Sequence, residues 1–163
     1  IAVFDDALQQ SIEPGTPSTR ARLETVRAAR DLGLDCTVFM MPILPHLTDA
    51  PEQLEDAVRR VRDAGATSVL YSVLHLRPGA REWFAAWLRR EHPELVGTYR
   101  TLYGDRTTAP KEYRREVGRR MAALVRRYGL ELTEESDDLR SKALRDVARA
   151  PSLSAVGGPP TLF

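Results

Sequence analysis

A single cysteine, Cys36, stands in the whole 163-residue sequence. Its isolation excludes an internal disulfide, and one thiolate cannot by itself hold an iron–sulfur cluster or a cysteine-rich zinc site. A chain without disulfides suits a reducing compartment, so a cytoplasmic protein is the expectation. No apolar run approaches the roughly 20 residues that a membrane span needs, and no membrane partner is expected. The N-terminus lacks a signal-peptide layout, since Asp5 and Asp6 follow only four apolar residues. No Ser-His-Asp arrangement, phosphate-cradling glycine loop or Cys-His pair stands out. There is little net charge either: 24 Lys and Arg against 23 Asp and Glu leave +1, which argues for no particular partner. The sequence opens on Ile1 in place of methionine, and we expect it to be the downstream part of a longer polypeptide.

What is present is ordinary globular material, 42% hydrophobic and 29% charged, sized for one domain with a real core. Ile1–Phe4 reads as the end of a strand and Asp5–Ile12 as a short helical turn. Pro14-Gly15 breaks the chain into a loop. Thr16 followed by Pro17 then looks like a helix start, with Leu23, Val26 and Ala29 on the buried side and Gly33 as the stop. Leu34–Met41 is a short apolar run suited to a strand covered on both faces, ended by Pro42 and Pro45. A helix over about 51–64 buries Leu54, Ala57, Val58 and Val61. A second apolar run, Ser68–Leu76, follows, and then a helix over 80–91 with Trp83, Phe84, Trp87 and Leu88 on one face. The alternation predicts a parallel α/β sheet in which right-handed crossovers put all strand C-termini on one edge.

Beyond Pro93 the character changes. Leu95–Tyr103 reads as a short helix, and 109–128 as a longer one with Tyr113, Val117, Met121, Leu124, Val125 and Tyr128 at helical spacing. Residues 131–163 read as a weakly helical to disordered tail, with Gly157-Gly158-Pro159-Pro160 near its end. The domain division expected is therefore 1–92, a helical extension 93–130, and the tail.

Ligands of open α/β sheets and barrels meet the loops just past the strand C-termini. Three loops qualify here, 5–16, 42–49 and 75–79, and they carry Glu13, His46, Asp49, His75 and Arg77. No spacing among them defines a reaction, and no metal site is expected; His46 reads as a loop histidine and His75 as a hydrogen-bonded strand-end histidine. Glu13 and Arg22 read as an ion pair tying the loop to its helix. Cys36, inside the expected strand, reads as a small buried hydrophobe. Between Lys111 and Tyr128 seven basic side chains face two acidic ones, which is either a solvated outer face or a nucleic-acid contact surface.

The run Ser-Ile-Glu-Pro-Gly-Thr-Pro-Ser-Thr-Arg-Ala-Arg-Leu (Ser11–Leu23), followed by Met-Pro-Ile-Leu-Pro-His-Leu-Thr-Asp (Met41–Asp49), resembles the second half of radical S-adenosylmethionine proteins. The nearest branch is the one that includes spore photoproduct lyase. Leu74-His75-Leu76-Arg77-Pro78 is similar to its sixth strand end, and Tyr103-Gly104 through Lys111-Glu112-Tyr113 to the extension that follows. The likeness covers about residues 1–130, and the Glu-Pro-Gly-Thr segment is its most specific part.

The resemblance implies an incomplete parallel (β/α) barrel, the second half of a partial TIM-like barrel, with a C-terminal helical extension. It implies S-adenosylmethionine and a 4Fe-4S cluster as cofactors, the cluster held by a CxxxCxxC motif in a missing N-terminal half. That half is the expected partner of this chain. Glu13, Met41, Pro42 and His75 are the cofactor-binding positions the likeness implies; it assigns no catalytic residue. The sequence departs from the pattern in having no CxxxCxxC, so the chain alone should ligate no cluster and perform no radical chemistry. The rival expectation from another class is a non-catalytic nucleic-acid-binding module using the Arg-rich helix 111–127.

Overall fold

Two apolar runs become paired strands. In the computed structural model, which describes residues 1–133, β1 (Thr37–Ile43) and β2 (Ser68–Val73) run parallel, from Thr37 opposite Ser68 to Met40 opposite Tyr71. The residues between them form α3 (Pro51–Asp63), the crossover that two parallel neighbours require. A third strand, β3 (Glu131–Thr133), pairs in parallel with the other side of β2, giving the order β1-β2-β3. The fold is therefore α/β, with a three-stranded parallel sheet. The remaining helices are α1 (Asp6–Ile12), α2 (Thr19–Asp31), α4 (Ala80–Glu91), α5 (Val96–Tyr103) and α6 (Lys111–Arg127).

Side chains alternate along a strand, and β1 has a buried face and an open one, while Leu70 of β2, in register with Phe39, is buried. Val38, Met40 and Val69 are buried with Leu54, Val58 and Val61 of α3 and Val117, Met121 and Val125 of α6. The helix α6 lies so close to the sheet that a Cβ on Gly118 would meet the Tyr71 hydroxyl oxygen at 2.9 Å. Phe39, pointing the other way, is 52% exposed. The expectation of a β1 covered on both faces is corrected by that side chain: apolar composition marks a strand without saying how many layers pack on it.

Other boundaries shift for local reasons. Ser18, not Thr16, caps α2, its hydroxyl oxygen accepting from Ala21 N at 3.2 Å. Thr16 instead donates to the Glu13 carbonyl at 2.8 Å and accepts from Gln9 Nε2 at 2.7 Å, which closes the loop before the helix. The strand β1 starts later than expected and runs through Pro42 to Ile43, with an irregular register between Met40 and Ile43 that accommodates the residue without an N–H. Cys36 consequently precedes the strand and is half-buried, while its carbonyl accepts from Thr67 N at 2.9 Å. Ile1–Phe4 is extended but forms no strand; Val3 is buried beneath it, and the Ile1 nitrogen contacts the Phe39 carbonyl.

The extension does not stand apart from the sheet. The helix α6 packs on α3, and the chain then returns as β3, so residues 131–133 belong to the sheet and not to a tail. The rest of the expected tail, residues 134–163, lies outside the described residues.

Candidate functional site

Three of the four positions implied as cofactor-binding come together. Glu13 follows α1, Pro42 closes β1 and His75 follows β2. All three line one cleft of about 190 Å³ at the C-terminal ends of the strands. Its walls are mostly apolar: Val3, Ile12, Leu44, Leu74, Leu76 and Phe84 contribute, and Trp83 stands at its side. Met41 is not part of the lining; it adjoins the cleft through its cis peptide bond to Pro42. A larger cavity of about 310 Å³ lies against β1 and α3, among Phe4, Met40 and Ile43 with Asp5, Glu52 and Asp56. It contains none of Glu13, Met41, Pro42, His46, Asp49, His75 and Arg77, so the smaller cleft is the candidate site.

Glu13 is the most reactive-looking group of this cleft. The expected pair with Arg22 is present, Arg22 Nη2 lying 3.0 Å from Glu13 Oε2 with both side chains mostly covered. The approach has the distance of an ion pair without the direction of a hydrogen bond. Among the described residues, that solvent-shielded oxygen has no hydrogen-bond partner. Its charge is met by Arg22, and its free lone pair suits an incoming hydrogen-bond donor.

The loops that frame the cleft are tied down from the extension, through tyrosines. Tyr103 donates its hydroxyl to the Leu74 carbonyl at 2.8 Å, immediately before His75. Tyr99, its ring stacked on Tyr103 at 5.8 Å, donates to the Pro45 carbonyl at 2.6 Å. Leu76 N donates to the Thr107 carbonyl at 2.7 Å, and His75 forms a bridge with Thr108. Tyr113 of α6 hydrogen-bonds to Asp49 Oδ2, and Asp49 Oδ1 accepts from His46 N at 2.7 Å. Burial raises the pKa of Tyr99, Tyr103 and Tyr113, and for Tyr113 the Asp49 carboxylate raises it further.

His46 and Asp49 therefore serve the turn. His46 sits at φ 60°, a left-handed conformation, and Asp49 is buried beneath it with its oxygens engaged. His75 and Arg77 are exposed beside the cleft. Among the described residues no cluster of three or more His, Cys, Asp or Glu could hold a metal ion. Of the four residues the sequence groups on one face of α4, Phe84, Trp87 and Leu88 are buried together, Trp87 at 1% exposure, whereas Trp83 is 52% exposed. Trp83 lies in the first turn of α4, where helical spacing alone could not reveal that the layer covering Trp87 ends.

The Arg-rich helix is largely paired. Arg119 and Arg120 both reach Glu116, the latter at 3.1 Å, and Arg120 also donates to the Asp49 carbonyl at 3.3 Å. Arg127 pairs with Glu55 at 2.8 Å, and Arg114 donates to the Ala109 carbonyl at 3.2 Å. These contacts fix the directions of Arg114, Arg119, Arg120 and Arg127, and Glu55 adds one acid to the two of the helix itself.

A parallel α/β sheet with a small apolar cleft past its strand ends is the class that fold and site define. No family model matches the sequence. Over 130 residues the chain is 45% identical to uncharacterized proteins of Mycobacterium tuberculosis and Mycobacterium bovis, an overlap covering 80% of this chain and 38% of each relative. Uncharacterized protein ORF301 of Acidianus two-tailed virus is 28% identical over 133 residues, 80% of this chain and 39% of that protein. The chain thus spans well under half the length of the curated relatives it matches. Among the described residues, no helix is long and apolar enough to cross a membrane.

Proposed function

We propose that the chain is the C-terminal part of a radical S-adenosylmethionine enzyme, contributing one wall of the cofactor site and half of a partial parallel barrel. One observation carries this reading: Glu13, Pro42 and His75, from three separate segments, line one cleft past the C-terminal ends of β1 and β2. They are three of the four positions that the resemblance implies.

The residues of this chain do not fit the cluster. Its one cysteine precedes β1, at the end of the strand remote from the cleft, so the thiolates must come from the rest of the polypeptide. They do fit part of the organic cofactor. The apolar walls and Pro42 suit the faces of an adenosine, and the Glu13 oxygen, ion-paired with Arg22 but without a hydrogen bond among the described residues, suits a donor. At about 190 Å³ the cleft is smaller than the roughly 300–1,000 Å³ of complete small-molecule sites, as one wall of a shared site would be. The open face at Phe39 is consistent with a barrel interior that further strands would close.

When bound, the cofactor would supply a 5′-deoxyadenosyl radical through reductive cleavage of its sulfonium. The part of this chain is to bind and orient it. Glu13 offers the acceptor, the walls exclude water, and the tyrosines hold the loops that place Pro42 and His75. The test uses the complete polypeptide that carries this chain, reconstituted anaerobically with iron and sulfide. Formation of 5′-deoxyadenosine, lost with Glu13→Ala, is the expected result. A complete polypeptide without a CxxxCxxC motif, or one that binds a cluster yet never consumes S-adenosylmethionine, overturns the proposal.

The alternative, a nucleic-acid-binding module built on α6, has less support now that four of its arginines are engaged by Glu116, Glu55 and backbone carbonyls.

A further inference from the structure

A second groove lies between α4 and α5, away from the Glu13 carboxylate. Its volume is about 190 Å³; half-buried Ala85 and Val96 give it apolar surface beside the buried Phe84, Leu88 and Tyr99, and its charged lining is Arg81, Arg89 and Arg100. Among the described residues, no carboxylate lines it. Arg81 is already used: its Nη1 donates to the Gly104 carbonyl at 2.7 Å and its Nη2 reaches the Arg106 carbonyl, so it fixes the wall. Arg89 and Arg100 are exposed, and among the described residues neither guanidinium has an acceptor.

We propose that this groove docks an acidic peptide segment of a partner protein, one apolar side chain entering the trough between carboxylates that meet Arg89 and Arg100. Charge complementarity chooses the occupant. Two unpaired cations on different helices flank an apolar floor, so the ligand must carry negative charge on both sides of an apolar group. Arginine clusters recognise acidic motifs in this way. A nucleic-acid strand fits the groove poorly. The rings of Phe84 and Tyr99 are 4% and 5% exposed and offer no free face on which bases could stack. A membrane surface is flat, whereas this depression takes about one side chain.

Both arginines also sit in the last turn of their helices, where a cation is favoured by the helix dipole. The test separates the two roles. A fluorescein-labelled peptide with one phenylalanine between pairs of glutamates is titrated against the full chain and followed by anisotropy. A control peptide carries serine for phenylalanine. Saturable binding is expected, at least tenfold weaker for the serine peptide and for the double variant Arg89→Glu with Arg100→Glu, and weaker as salt rises. Thermal unfolding of the double variant establishes that it is folded. Three results would overturn the proposal: equal binding by the two peptides; undiminished binding by the folded double variant; tighter binding of a thymidine dodecamer or of phosphatidylglycerol vesicles than of the phenylalanine peptide. If the folded double variant loses only thermal stability and the wild-type chain binds no peptide, the arginines serve the helix ends alone.

Discussion

The Tyr103 hydroxyl donates to the carbonyl of Leu74, the residue that precedes His75, across 2.8 Å of buried structure. This bond joins the helical extension to the loop that carries a candidate site residue. With Tyr99 on the Pro45 carbonyl, it makes α5 a clamp on two strand-end loops at once.

Removing that hydroxyl should therefore destabilise and loosen the site. Tyr103→Phe leaves a buried carbonyl without its donor, a loss of about 1–3 kcal/mol. Urea unfolding should show the loss, and hydrogen exchange should quicken first at Leu76 and around His75. A uniform change in exchange across the whole sheet would speak against a local clamp.

The same tyrosines set an alkaline limit. Their folded pKa values are raised above the ordinary value near 10, chiefly by burial. Above that pH the unfolded chain releases protons that the folded chain retains. The stabilising contribution is therefore complete below about pH 10 and falls as pH rises beyond it. The urea midpoint should be flat from pH 8 to 9.5 and drop above it, and tyrosinate absorbance from these three residues should appear only as the chain unfolds.

The two tryptophans should separate cleanly. Trp87→Ala, in the core and with its indole N–H donating to Ser11 Oγ at 2.9 Å, should cost about 3–5 kcal/mol. Trp83→Ala should cost under about 0.5 kcal/mol, as surface substitutions do. Acrylamide should quench the Trp83 fluorescence and leave that of Trp87 nearly untouched, as measured on the single-tryptophan variants with phenylalanine at the other position.

Glu13 should matter for binding far more than for folding. Its pair with Arg22 is partly exposed and contributes at most about 1 kcal/mol. Glu13→Gln in the complete polypeptide should leave the melting temperature within a few degrees while weakening S-adenosylmethionine binding at least tenfold by calorimetry. Unchanged affinity would leave the carboxylate as a loop tie only.

Much of this was legible in the residues. The period of apolar runs and helices yields the parallel order of β1 and β2, because a crossover helix of this length cannot join antiparallel neighbours by a tight turn. Ala80–Glu91 is the helix expected, to the residue, and the Glu13–Arg22 pair is present. The return of the chain as β3 was not legible: three residues are too short for an alternating pattern, and only pairing with Ser68–Leu70 makes them a strand. Nor was the engagement of Asp49 by Tyr113, 64 residues away, since no local pattern specifies a contact at that separation.

The sequence by itself determined most helices and the two longer strands, because capping, periodicity and glycine stops act within a few residues. Its single cysteine also determined that this chain alone cannot supply the thiolates of a cluster. Tertiary structure alone decided that β1 stays open at Phe39, that Trp83 is half exposed, and that Glu13, paired with Arg22, shares a cleft with Pro42 and His75. Those outcomes depend on which surfaces meet, and burial and hydrogen-bond completion are properties of the packed chain.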